Sequence, residues 1–406
     1  MGRGGFCFEA MLTRMDLKAI QAALRQRDID GWLLSDFRNR DFLAYRVLGL
    51  DETKANSRRW YYYIPARGTP TRLVHAVERA FLDSLPGKKV EYVAWKELHA
   101  ALEKILGDRK KVAMQYSPRN NVPYVALADA GTVELIKSFG HKVVSSADLI
   151  QTFVSVIDEA GYRSHVEAAA IVDRIRGEAF DQIRDAIAAN QTLTEYDVQQ
   201  FIMKRFGEEH LTTYAPPMVG INEHPADPHF DVSKDAPKTF KPGDTVLIDL
   251  WAKKSAPGSI YYDITWDGYV GSRPPATYAK IFAAVRGGRD AAIEFVQDAF
   301  RRGRTIAGWQ VDDVCRNVVK KAGYAKQFLH RTGHSIGVEI HGTGVNIDNL
   351  ETKDERELIP GCCFSIEPGI YLTGKMAVRT EINMFIRHDG EAEVTGEVQR
   401  DLLLLA

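Results

Sequence analysis

Cysteine is scarce in this sequence: Cys7, Cys315, Cys362 and Cys363 are the four in 406 residues, and no two form a CxxC pair. That excludes a disulfide-dense secreted scaffold and points to a reduced, cytoplasmic setting. The adjacent Cys362 and Cys363 lie in an apolar run and read as buried small hydrophobes rather than a redox pair. Neither sign of charge is in surplus. Lysine and arginine total 53 against 54 aspartates and glutamates, which argues against a general nucleic-acid or membrane-surface binder. No apolar run approaches a membrane span, and the opening MGRGGFCFEAMLTRMDL lacks an apolar signal core. Low-complexity tracts and internal repeats are missing too, which excludes a solenoid.

What is present is a hydrophobic content of 45% over a length that exceeds one usual core, so two domains are expected. Up to about residue 155, helical spacing over residues 17–24, 98–106 and 132–139 is interleaved with the apolar runs GWLLS, WYYYI, RLVHA, VEYVAW and KKVAMQY. That alternation predicts an α/β domain, with the aromatic run at residues 60–63 as a half-buried strand. A long helix is predicted over residues 165–189, after a boundary near Gly161, and a second over 194–206, where Thr-Glu-Tyr-Asp forms a cap-like start. Beyond it come strands in two batches, separated by helical periodicity at 281–295 and 311–322, which predicts an α+β domain.

The stretch FLHRTGHSIGVEIH, residues 328–341, holds three of the eleven histidines. His330 and His334 have the i, i+4 spacing of zinc ligands on one helix face. Arg331, however, stands where the base glutamate of such a helix belongs, and Gly333 and Gly337 together would cost about 2 kcal/mol in helix propensity. The segment reads instead as a glycine-jointed loop entering a short apolar strand at 336–340. Partners for these histidines must come from elsewhere.

Four carboxylates interrupt otherwise apolar strands: Asp249 in TVLIDLWA, Asp263 in SIYYDITW, Glu367 in CCFSIEPGIYL and Glu381 in AVRTEINMFI. A carboxylate in a buried strand is costly unless it is protonated, paired or bound to metal. If the four converge with a neutral His334, two divalent ions match their charge, whereas one leaves two negative charges over. Such an oxygen-rich set with one imidazole suits Mn²⁺, and Co²⁺, Zn²⁺ or Fe²⁺ could also occupy it. Arg379 precedes Glu381 by two, so in one strand both face the same side. Its guanidinium is then poised for an anionic substrate end or a supporting contact.

The order Asp, Asp, His, Glu, Glu, carried by IDLWA, YYDITW, GHSIGVEIH, SIEPGIY and VRTE, resembles that of the pita-bread metallopeptidases, which include methionine aminopeptidase, aminopeptidase P and prolidase. The likeness runs from about residue 162 to the end, and the first 155 residues look like the creatinase-type N-terminal domain of the proline-specific branch. The resemblance implies an α/β domain over 14–157 and an α+β pita-bread catalytic domain over 160–406. Carried over by position, it implies that Asp249 binds one metal, His334 and Glu367 the other, and Asp263 and Glu381 bridge the pair. His229 in HPADPHF matches the histidine near the scissile bond, with His224 as a competing match. His341 matches the histidine that holds substrate and tetrahedral intermediate, and Arg379 matches the arginine of the proline-specific members. His330 falls at a position where the family often has a supporting histidine.

Three departures from the family pattern fall near the site: the long KKSAPGS tip between Asp249 and Asp263, DITW in place of DITRT, and Gly342 where a glutamate is common. All three could reshape the pocket. The expected activity is hydrolysis of the bond between an N-terminal residue and proline in a short peptide, by an Xaa-Pro aminopeptidase or dipeptidase. A water shared by two ions is the expected nucleophile, Glu367 the base, and His229 and His341 the hydrogen-bond donors. The resemblance further implies a homodimer or homotetramer, with residues 38–40 at the place of an intersubunit loop, although by themselves these residues read as a solvated charged turn. The competing readings are an amidinohydrolase or lyase on the same fold and a non-catalytic binding module.

Overall fold

The computed structural model describes residues 15–228 and 230–406, which form two compact units, the first ending at Ser155 and the second spanning Val156–Ala406. The first unit contains α1 (Leu17–Gln26), β1 (Gly31–Asp36), α2 (Phe42–Leu48), β2 (Trp60–Pro65), β3 (Thr71–His75), β4 (Lys88–Tyr92), α3 (Trp95–Leu106), β5 (Lys111–Met114), α4 (Ala130–Ser138), β6 (Lys142–Ser145) and α5 (Ala147–Ile150). Its strands make one mixed sheet in the order β4-β3-β2-β1-β5-β6. The aromatic run of β2 is buried on both faces rather than half-buried. Trp60, Tyr62 and Ile64 enter one core, and Tyr61 and Tyr63 enter another on the opposite side.

The second unit contains α6 (Glu159–Ala188), α7 (Glu195–Glu208), β7 (Leu211–Thr212), β8 (Met218–Ile221), β9 (Thr245–Lys254), β10 (Tyr262–Tyr269), α8 (Ala276–Arg301), α9 (Gly308–Lys321), β11 (Ser335–Ile336), β12 (Cys363–Ile366), β13 (Gly369–Leu372), β14 (Met376–Arg379), β15 (Ile382–Ile386), β16 (Ala392–Thr395) and β17 (Leu403–Leu404). Helix α6 starts before the expected boundary at Gly161, because Asp158 caps it by accepting the Gly161 N–H. The Thr194 cap of α7 forms as read, with Asp197 completing a reciprocal capping box.

Strict alternation then positions the site. Along β9 and β10, Val246, Ile248, Leu250, Ala252, Tyr262, Ile264 and Trp266 enter the core shared with Val172, Ile175 and Ala179 of α6, which leaves Asp249, Trp251, Asp263 and Thr265 on the opposite face. In the second sheet, ordered β11-β12-β15-β16, Phe364, Ile366, Ile382 and Met384 pack into the core shared with α8 and α9. The sheets join where β10 meets β15. The Glu381 N–H donates to the Thr265 carbonyl at 3.0 Å, and the Asn383 amide accepts the Asp263 N–H at 2.9 Å and donates to the Asp263 carbonyl at 2.8 Å. No helix among the described residues is long and apolar enough to cross a membrane.

Candidate metal centre

Five places along the chain meet here. Asp249 and Asp263 project from β9 and β10, His334 immediately precedes β11, and Glu367 and Glu381 continue the register that pairs Ile366 with Ile382. Asp263, His334 and Glu381 bring one ligand atom each within 4.8 Å of one another, all buried. His334 Nε2 lies 3.3 Å from Glu367 Oε1 and 3.5 Å from Asp263 Oδ2. Asp249 stands slightly apart, with one oxygen 3.0 Å from Thr265 Oγ1 and the other paired with Arg379 Nη2. All five side chains line one cavity of about 450 Å³, together with His341 and Arg379.

The donor set fits divalent cations. His334 Nδ1 lies 3.1 Å from the Ser335 carbonyl and as its donor carries the ring proton, so a neutral ring turns the Nε2 lone pair toward carboxylate oxygens. Lone pair and carboxylate repel unless a cation or a proton lies between them. Asp263 Oδ1 and Glu381 Oε1 are buried without a hydrogen-bond partner among the described residues, which is costly for an acid not bound to metal. Burial raises both carboxyls well above the ordinary range; the Glu367 charge adds to it at Asp263, and the charges of Asp263, Glu367 and Asp249 add to it at Glu381. Burial also pushes Asp249 up to about 7, against the opposing pull of Arg379. For Glu367, burial is outweighed by His334, His330 and Arg379, and its carboxyl is lowered.

The hydroxyl of Thr265 ties this cluster together. It accepts from Arg379 Nε at 3.1 Å and stands 3.0 Å from Asp249 Oδ1 and 2.9 Å from Glu381 Oε2, so its one proton serves either acid. Neither Thr265 nor Asn383 was foreseen from the sequence. Thr265 could have been, since it follows Asp263 by two and must share its face. Arg379 Nη1 also donates to Tyr371 Oη at 3.0 Å, and that oxygen is 2.7 Å from His330 Nε2. His330 thus reaches the site's hydrogen-bond network through Tyr371, and Arg379 is engaged by Asp249, Thr265 and Tyr371.

Three readings need correction. Arg379 and Glu381 do not share a continuous strand, because β14 ends at Arg379 and β15 begins at Ile382; both reach the cavity from either side of the break. The strand expected at 336–340 stops at Ile336, because the Gly337 N–H turns to the Glu339 carbonyl and the Gly337 carbonyl accepts from Tyr261. Trp266 of DITW does not reshape the pocket: it lies on the helix-facing side, with the Arg176 guanidinium 3.5 Å over its ring. A side chain at Gly342 would crowd Ser335 Oγ at 2.8 Å, so a glutamate there would require Ser335 to shift.

His341 meets His334 edge-on, with ring centroids 4.4 Å apart. His229 lies outside the described residues, and its neighbours Pro228, Phe230 and Asp231 line the cavity. His224, the competing match, is 2.9 Å from the buried Glu195 carboxylate and packs at a tilt against Phe230, with ring centroids 4.3 Å apart.

A buried cluster of acids and one imidazole at the junction of two helix-backed sheets defines a metallohydrolase-type centre. The chain belongs to metallopeptidase family M24, whose family model matches residues 163–388. It is 26% identical over 336 residues to the probable dipeptidase PepE of Mycobacterium tuberculosis, covering 82% of each chain. It is 29% identical over 234 residues to an Xaa-Pro dipeptidase of Lactobacillus helveticus, covering 56% of this chain and 55% of the other. Among solved structures, dipeptidase PepE of Mycobacterium ulcerans superposes with TM-score 0.68 at 23% identity, covering 97% of this chain and 100% of that one. An X-prolyl aminopeptidase of Caenorhabditis elegans, described as a cytosolic enzyme with a di-nuclear active site, gives 0.63 at 15% identity, covering 95% of this chain and 64% of that one. The second unit accordingly has the pita-bread fold, and the protein is a metallopeptidase.

Proposed function

We propose that this metallopeptidase holds two divalent ions, Mn²⁺ foremost, and removes an N-terminal residue that precedes proline. The observation that carries this reading is the buried convergence of Asp263, His334 and Glu381, with Glu367 and Asp249 in the same cavity. Asp249, Asp263, His334, Glu367 and Glu381 would be the ligands. When bound, such ions lower the pKa of water and polarise the carbonyl under attack. The remaining steps belong to the chain itself. Glu367 takes the proton of the attacking water on a carboxylate oxygen and passes it to the proline nitrogen as the C–N bond breaks. His341 donates a hydrogen bond to the carbonyl oxygen as charge develops on it, and His229 is assigned the matching contact on the substrate. Arg379 holds Asp249 in place and presents positive charge to an anionic substrate end.

The proline preference draws on the relatives' activities, an Xaa-Pro dipeptidase among them. The unpaired, buried Cys315, Cys362 and Cys363 support a reducing, cytoplasmic setting. A homodimer or homotetramer is the proposed assembly, open to light scattering. The purified full chain should contain up to two divalent ions, and Asp263→Asn should lose both metal and peptide hydrolysis. Full activity in a metal-free preparation sinks the dinuclear reading. A panel of Xaa-Pro dipeptides against longer Xaa-Pro-Yaa peptides reads out substrate length, and failure on every proline substrate with metal present rejects the proline preference.

A further inference from the structure

Trp251 and Tyr214 share the cavity with the acids but take no part in the chemistry above. In the β9–β10 register Trp251 stands directly opposite Asp263, and it follows Asp249 by two, so its indole lies on the same face as both acids. Tyr214, from the segment before β8, stacks on the indole with ring centroids 5.8 Å apart and 28° between planes. Both rings line the cavity, and Pro216 and Met218 extend the apolar surface beside them. Tyr214 keeps 65% of its surface exposed. Burial, with added repulsion from Asp263 and Asp249, raises its hydroxyl above the usual range, in keeping with a ring beside the acids. An aromatic wall in the same cavity as the acids matches a substrate that carries an apolar group beside the bond to be cleaved.

We propose that Trp251 and Tyr214 form the wall that receives the side chain of the substrate's N-terminal residue, selecting large apolar and aromatic residues over glycine and alanine. This rests on the exopeptidase reading above. The scissile carbonyl must lie in the cavity of the acids for Glu367 and His341 to act on it, and the substrate's side chain leaves the carbon next to that carbonyl. A carbonyl held there sends that side chain toward the indole, which stands opposite Asp263 and two residues from Asp249. Proline lies beyond the scissile carbonyl and does not compete for the wall.

Hydrolysis of Gly-Pro, Ala-Pro, Leu-Pro and Phe-Pro by the manganese-loaded full chain tests this, with Gly-Leu and Phe-Leu alongside. The expected kcat/KM for Phe-Pro exceeds that for Gly-Pro by about tenfold or more. Trp251→Ala collapses that ratio toward one, Tyr214→Ala reduces it, and Tyr214→Phe keeps it. Equal rates on all four proline dipeptides, or an unchanged ratio in Trp251→Ala, overturn the wall and leave the Xaa-Pro reading standing. Preference for Phe-Leu over Gly-Leu, with no proline dipeptide cleaved, keeps the wall and removes the Xaa-Pro reading. Should Trp251→Ala fail to fold, or no dipeptide be cleaved, wild-type tryptophan fluorescence titrated with L-phenylalaninamide and glycinamide decides. A saturable change with the first probe alone supports the wall, and equal or absent responses overturn it.

Discussion

Thr265 shows how much of the centre depends on a residue outside the proposed ligand set. Its hydroxyl stands between the Arg379 guanidinium and the carboxylates of Asp249 and Glu381. Thr265→Val keeps the shape and removes those contacts, leaving buried polar groups unsatisfied. Metal affinity and kcat/KM should each fall about 10–100-fold, read by metal titration and steady-state kinetics, while Thr265→Ser restores both. Unchanged affinity in the valine variant would show that the ligands orient themselves. The acids were legible in the sequence because a carboxylate inside an apolar strand is locally anomalous. Thr265 and Asn383 were not, because threonine and asparagine carry no such signature and their importance lies in what faces them. Trp251 carries no such signature either, since an aromatic in a strand is ordinary.

At the scale of elements, the segment carrying His334 is held by close backbone approach. A Cβ at Gly333 would fall inside the contact distance of the Ser365 carbonyl, whereas one at Gly337 would meet nothing nearer than the Glu339 carbonyl at 3.9 Å. Gly333→Ala should therefore destabilise by about 1–3 kcal/mol or more, and Gly337→Ala should stay within about 0.5 kcal/mol of wild type. Urea unfolding of the two variants checks the contrast, and equal effects would mean that the loop adjusts freely. Helices were well anticipated, since the period of their apolar positions and the Thr194 cap are local. Two strand boundaries were not. The breaks after Ile336 and Arg379 depend on partners distant in sequence: Tyr261 holds the turn at Gly337, and Thr265 receives the Glu381 N–H.

Over the second unit as a whole, His165 links three elements. From within α6 its Nδ1 donates to the Tyr261 carbonyl beside β10 at 2.6 Å, and its Nε2 accepts from Thr395 Oγ1 of β16 at 2.7 Å. The ring is fully buried and binds as the neutral form, and burial lowers its pKa to about 4. In the unfolded chain it titrates near about 6.5. Between those values the unfolded state binds the extra proton, so stability drops as pH falls through about 6.5 and levels off only below about 4. The lost contribution is about 3 kcal/mol. Urea unfolding between pH 4 and 8, compared with His165→Gln, isolates it: the wild-type curve should lose more stability toward acid than the variant. Parallel curves would exclude His165 as the source.

The sequence by itself determined which residue types could bind metal, their order along the chain, and the amphipathic helices that back each sheet. These properties are written in composition and in the periods of two and 3.6 residues, which the local backbone enforces. Only the tertiary structure decided that five side chains from distant segments share one cavity, that Arg379 is committed to Asp249, and that Trp251 faces Asp263. Those depend on register between strands and on how two sheets join. Both are set by packing among residues far apart in the chain, and a one-residue slip would turn every one of those side chains to the other face.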